Sequence, residues 1–302
     1  MNINELRMEF YSSMSREELD HHFSPSKFAM SDRATVVDRH TAALQKSTKG
    51  ARETVECDLG VIFNGTGQSL DIYYPPQVNA ETRIMIFFHG GYWQALSLDE
   101  SGGHAIPLSA HNVILVSIGY QLAPSANMTE IVRQCREGCA FIYKKFPNKK
   151  IIISGNSAGG HLSSVMLATN WREYGLDKYP FHGAILFSGV YDLVPIQKCY
   201  VNDPLQLTGQ EVRDYSPLGS NCIEKLRDLV PKGFPCLLVE GKSDPTSFQK
   251  MRESYQKVLE DAGINVKLEI LEEDDHFSYV EKMYSEEHEV TKIMIQFICK
   301  EI

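Results

Sequence analysis

Five consecutive residues, Gly155-Asn156-Ser157-Ala158-Gly159, can make a nucleophile. They fit G-x-S-x-G, follow the apolar run Ile151-Ile152-Ile153-Ser154 and precede a helical pattern. A serine on a tight strand-to-helix turn takes strained backbone angles, and its glycine neighbours leave room for the crossing chain. Its hydroxyl is lifted to the carboxyl edge of a sheet, at the positive end of a helix. The bland reading is a glycine-rich turn with no chemistry; the flanking strand and helix favour the nucleophile. A hydroxyl alone is weak, so it needs a base, and the base needs an orienting acid. Of the ten histidines, His276 has the right context: it follows a strand pattern over 266–271 and the acidic loop 272–275, and it precedes a terminal helical pattern. Asp244, on the turn Gly241-Lys242-Ser243-Asp244-Pro245 after a strand pattern, is the acid of choice, with Asp192 the competitor. The chain order is then Ser157, Asp244, His276.

A second loop, His89-Gly90-Gly91-Tyr92-Trp93, also follows directly on a strand pattern. In acyl-transfer enzymes such a loop offers backbone N–H groups to a developing oxyanion, and losing one donor can cost about 10²–10³ in rate. Gly90 and Gly91 are the expected donors, with the N–H of Ala158 beside the nucleophile as a third. His89 reads as a structural brace for the loop. Tyr92 and Trp93 read equally as walls of a substrate pocket or as core aromatics. Nothing points to a metal or a cofactor: His21-His22 lies in a polar segment without nearby cysteines, and there is no H-E-x-x-H, no phosphate-binding G-x-x-x-x-G-K-[ST] and no G-x-G-x-x-G.

These residues need a scaffold, and the hydrophobic pattern predicts one. Residues 55–63 and 69–74 read as a hairpin around Asn64-Gly65-Thr66-Gly67. Short apolar runs at 84–88, 113–118, 151–154, 184–187, 236–239 and 266–271 read as buried strands. Amphipathic stretches at 128–146, 158–170, 248–262 and 285–299 read as helices between and after them. Alternation of this kind predicts an α/β architecture, a mostly parallel central sheet with helices on both faces. Residues 1–302 read as a single domain. An N-terminal segment, 1–54, and an excursion, 194–231, pack on it, and the excursion is a candidate cover for a site.

Composition sets outer bounds. The chain has 302 residues, 43% apolar and 23% charged, enough for a sizeable core. Thirty basic residues against 39 acidic give a net charge of −9, which disfavours nucleic acid and anionic membrane surfaces as partners. No apolar run exceeds five residues, whereas a spanning helix needs roughly 20. The first twenty residues are rich in charge and leave no room for a secretory signal. Seven dispersed cysteines read as reduced thiols, including Cys135 and Cys139 one helical turn apart. The expected location is cytoplasmic, and the sequons at Asn64 and Asn127 read as chance. Oligomeric state stays open, with a homodimer among the alternatives.

The combined motifs resemble the kynurenine formamidase (arylformamidase) family, in the hormone-sensitive-lipase-like branch of the α/β-hydrolase superfamily. The likeness rests on Phe23-Ser24-Pro25-Ser26-Lys27, on His89 to Trp93, on Gly155 to Leu162, on Ser188-Gly189-Val190-Tyr191-Asp192-Leu193 with Pro195-Ile196, on Ser216-Pro217-Leu218 and on Asp274-Asp275-His276-Phe277. It implies the α/β-hydrolase fold and hydrolysis of N-formyl-L-kynurenine to L-kynurenine and formate in tryptophan catabolism, through a formyl-serine and without a cofactor. It implies the triad Ser157, Asp244 and His276, an oxyanion loop at Gly90 and Gly91, and a small-molecule substrate. Three departures stand out. Phe23 and Lys27 replace the usual tyrosine and arginine, and no second small residue separates Asp244 from Pro245. The alternatives are a broad carboxylesterase of the same branch acting on short acyl esters, and a non-catalytic receptor of this fold. Members of the latter class typically lack one of the three triad residues.

Overall fold

A computed structural model describes residue 11 and residues 13–302; the other residues of the expected N-terminal segment 1–54, namely 1–10 and 12, lie outside it. Eight strands form one sheet: β1 (Cys57–Ile62), β2 (Ser69–Tyr73), β3 (Arg83–Phe88), β4 (Val113–Ile118), β5 (Ile151–Asn156), β6 (Gly183–Phe187), β7 (Pro235–Gly241) and β8 (Asn265–Leu271). Their order across the sheet is β1-β2-β4-β3-β5-β6-β7-β8. The first two strands form the expected hairpin, and β2 runs antiparallel to β4. All other neighbours are parallel. This is the mostly parallel sheet that the alternating pattern predicts.

The near-continuous apolar runs of β3 to β6 follow from burial on both faces. Successive side chains point to opposite sides, so each strand feeds two cores. Ile84, Ile86, Ile114, Val116, Ile151, Ile153, Ala184 and Leu186 share one core with the apolar faces of helices Met128–Lys145, Ala158–Leu167 and Thr246–Asp261. Met85, Phe87, Leu115, Ile152, Ile185 and Phe187 share the other with helices Val36–Thr54, Ala105–Ala110 and Glu289–Glu301. The sequon Asn127 caps the Met128–Lys145 helix, its side chain accepting the Glu130 N–H at 2.9 Å.

Two regions carry more structure than the pattern predicts. Helix Val36–Thr54 buries Val36, His40, Leu44, Thr48 and Ala51, a narrow stripe with polar residues at two positions, so its apolar period is faint. The excursion holds four short helices, Leu193–Ile196, Asn202–Leu205, Gly209–Tyr215 and Ser220–Leu229. It lies against the N-terminal segment, through Arg16 on Asp203 and through the Tyr200 hydroxyl on the Phe23 carbonyl. It also meets the loop after β3, where Gln94 donates to the Val201 carbonyl. No described helix is long and apolar enough to cross a membrane.

Candidate active site

Ser157 sits between β5 and the helix Ala158–Leu167 with φ 54° and ψ −113°. That region costs a non-glycine residue about 1–3 kcal/mol, so the surroundings must hold it there. They do so by close approach. A β-carbon at Gly159 would lie 1.9 Å from the Phe88 carbonyl oxygen, so only glycine lets the helix start this near β3. The Ser157 N–H donates to the Phe187 carbonyl at 2.8 Å, and its carbonyl accepts from His161 at 3.0 Å. Its hydroxyl makes no capping bond and stays available at the helix N-terminus.

The candidate acid and the candidate base are joined directly. Nδ1 of His276 lies 3.0 Å from Oδ1 of Asp244, which fixes the imidazole with Nδ1–H as donor and Nε2 free for the substrate side. Backbone contacts set this distance: Lys242 N–H donates to the Leu271 carbonyl at 2.9 Å and Ser243 N–H to the Asp274 carbonyl at 3.0 Å. Gly241 permits that approach, since a β-carbon there would lie 2.9 Å from the Asp274 carbonyl oxygen. The other Asp244 oxygen accepts from the Ser188 hydroxyl. Asp192, the competing acid, instead caps helix Leu193–Ile196, accepting the Val194 N–H at 2.9 Å. Ser157, Asp244 and His276 are 5%, 3% and 6% exposed, so charge developing among them is poorly screened by water. Among the described residues Ser157 and His276 make no hydrogen bond to each other, as is common before substrate binds. Their segments are nevertheless linked, because Asn156 donates to the Tyr279 hydroxyl at 2.8 Å.

The loop after β3 lies beside Ser157. A β-carbon on Gly90 would stand 3.4 Å from that of Ser157. Among the described residues the N–H groups of Gly90, Gly91 and Ala158 have no hydrogen-bond acceptor. His89 braces the loop: Nδ1–H donates to the Gly90 carbonyl at 2.9 Å, and its ring stacks on Tyr120 at 4.3 Å. Burial pushes its pKa down to about 4, so it is neutral at physiological pH. Tyr92 and Trp93 part company. Trp93 has no exposed surface, and its ring meets His161 edge-on at 4.9 Å. Tyr92 is half-buried and donates its hydroxyl to the Phe23 carbonyl at 2.8 Å.

Several neighbours had no role assigned from the sequence. Phe248 packs edge-on against His276 at 4.9 Å, and Phe23 packs on Phe248 at 6.2 Å. Asp275 ties the histidine loop to the N-terminal segment by accepting N–H bonds from Met30, Phe277 and Ser278. Burial works to raise the Asp275 pKa, but these three donors outweigh it and hold it below the ordinary value. Its place next to His276 in the sequence was the available signal. Among the described residues no group of three or more His, Cys, Asp or Glu is gathered to hold a metal ion.

Comparison with known proteins fixes the family. The chain is 34% identical over 296 residues to kynurenine formamidase of Danio rerio, covering 97% of this chain and 100% of that protein. It is 33% identical over 297 residues to kynurenine formamidase of Salmo salar, with coverage of 97% and 100%. The chain belongs to the kynurenine formamidase family. As a family member it has the α/β-hydrolase fold, and it is a hydrolase. The BD-FAE family model matches residues 70–250, from β2 to just beyond the Asp244 turn. An esterase of Pyrobaculum calidifontis shares the fold of this kynurenine formamidase family member at TM-score 0.69 and 18% identity, over 94% of this chain and 97% of that one.

Proposed function

We propose that this member of the kynurenine formamidase family hydrolyses N-formyl-L-kynurenine to L-kynurenine and formate in tryptophan catabolism, with Ser157, His276 and Asp244 as its triad. The observation that carries the reading is the His276–Asp244 bond behind the Ser157 turn in a chain related over its whole length to formamidases. Ser157 Oγ attacks the formyl carbon, and Nε2 of His276 takes the hydroxyl proton. N–H groups of Gly90, Gly91 and Ala158 hold the tetrahedral oxyanion. The imidazolium then gives its proton to the aryl amine nitrogen as the C–N bond breaks, leaving a formyl ester on Ser157. Water, deprotonated by His276, attacks that ester and releases formate with regeneration of the hydroxyl. Asp244 holds the productive tautomer and stabilises the imidazolium in both halves.

The formyl group is small, so binding energy must come from the aryl ring and the amino-acid tail. Tyr92, the half-buried aromatic of the loop, is the ring contact; Trp93 acts behind it by fixing the loop. The described residues work as one domain, with 194–231 covering the site beside Tyr92. All seven cysteines are free thiols, which suits a cytoplasmic enzyme. Incubation with N-formyl-L-kynurenine tests the reading: L-kynurenine and formate should appear in equal amounts. Turnover of p-nitrophenyl acetate with no release of formate from the formamide would contradict the formamidase assignment and favour a short-acyl esterase.

A further inference from the structure

On the side of Asp244 away from His276, three polar side chains converge that the mechanism does not use. Ser188 lies just past β6 with φ 42°, anchored by its N–H on the Val239 carbonyl at 2.9 Å. Its hydroxyl donates to Oδ2 of Asp244. Tyr279, on helix Ser278–Lys282, stacks its ring on Phe187, the residue before Ser188, and its hydroxyl lies at the end of β5. Nδ2 of Asn156 donates to it at 2.8 Å. Ser188, Tyr279 and Asn156 are 2%, 0% and 6% exposed, so these groups have little water to fall back on.

Chemistry fixes the direction of the chain. As the carboxylate the mechanism needs, Asp244 accepts only, so the Ser188 proton points to it. The Ser188 oxygen is then left as an acceptor. Tyr279, which accepts from the Asn156 amide, still has its own proton to give. Burial, reinforced by the charge of Asp244, holds the phenol pKa well above its ordinary value, so Tyr279 remains a donor throughout.

We infer that Ser188 and Tyr279 are positioning residues for the catalytic acid, forming a relay Asn156–Tyr279–Ser188–Asp244 that fixes the carboxylate's rotation against His276 and ties it to the nucleophile turn. The relay rests on the triad assignment above. Its two ends are one residue from Ser157 and one hydrogen bond from His276. The relay therefore sets the relation of nucleophile to base, for which catalytic sites tolerate about 0.5 Å of error.

Kinetics of Ser188→Ala, Tyr279→Phe and the double variant test it, on both N-formyl-L-kynurenine and p-nitrophenyl acetate. The low-field proton NMR signal of the His276 Nδ1–H gives a second readout. Loss of the charge-assisted donor should lower kcat by roughly 10- to 100-fold in Ser188→Ala, and loss of the neutral one by about 3- to 10-fold in Tyr279→Phe, with KM nearly unchanged. The double variant should match Ser188→Ala, because Tyr279 acts only through Ser188. The low-field signal should shift in each variant. Factors that multiply in the double variant, or a signal unmoved in Tyr279→Phe, overturn the relay. If Ser188→Ala fails to fold, Tyr279→Phe, which keeps its ring on Phe187, decides through its signal and kcat. A wild-type protein that cleaves only the ester ends the formamidase reading and leaves the relay test intact.

Discussion

At the scale of single residues, the proposed catalysis turns on a proton. His276 can serve as base only with Nδ1–H pointed at Asp244, 3.0 Å away, and Nε2 unprotonated toward Ser157. Asp244→Asn keeps the shape of the side chain but offers an N–H where an acceptor is needed. It should lower kcat by roughly 10⁴-fold with the fold intact, as read by steady-state kinetics beside thermal melting. A loss below tenfold would mean another group orients the imidazole. Gly90→Ala probes the oxyanion side. Its β-carbon would stand 2.8 Å from Oδ1 of Asn156, so the loop must shift and carry its N–H groups off target. The expected loss is about 10²-fold in kcat with little change in KM; a rise in KM alone would place the loop in substrate binding only. Ser157, Asp244 and His276 were legible in the sequence because each is flanked by its own strand and turn signals. Ser188, Tyr279 and Asn156 were not, because their relation exists only where the ends of β5 and β6 meet the helix after His276.

At the scale of elements, the strands were read more securely than the segments that cover them. Burial on both faces gives β3 to β6 unbroken apolar runs, whereas helix Val36–Thr54 rests on one five-residue stripe with His40 and Thr48 in it. Three of the excursion's four helices have seven residues or fewer, too short to show a period. The excursion lies beside the Tyr92 loop, where Gln94 donates to the Val201 carbonyl. Residues around Met30 act as a strap on the histidine loop through Asp275. Asp275→Ala strands three N–H groups and should cost roughly 2–3 kcal/mol in urea unfolding at neutral pH, with a lower kcat from a looser His276. The sign of the pH dependence follows from the depressed Asp275 pKa. Its contribution is present above the ordinary value of 3.8 and is lost as pH falls through the lower folded value. The gap between wild type and variant should therefore close below about pH 4. A gap that stays constant down to about pH 2 would mean that the ionised carboxylate is not what holds the strap.

At the scale of the whole molecule, three buried histidines oppose folding at acid pH. Burial pushes His89, His104 and His161 from 6.5 down to about 4, 3 and 4. The unfolded chain binds those protons first, so stability is full above about pH 6.5 and falls as pH drops toward the folded values. Urea midpoints taken at about pH 7.5, 6 and 5 should decline in that order; equal midpoints would show that these rings are protonated in place. The family and the fold point to one activity, and the proposed triad has the chemistry for it. The decisive comparison is the specificity constant, kcat/KM, for N-formyl-L-kynurenine set beside that for p-nitrophenyl acetate, in wild type and in Ser157→Ala. The expected result is a preference for the formamide by orders of magnitude and loss of both activities in the variant. Formamide hydrolysis that survives Ser157→Ala, or an ester turned over while the formamide is left intact, would contradict a serine-dependent formamidase.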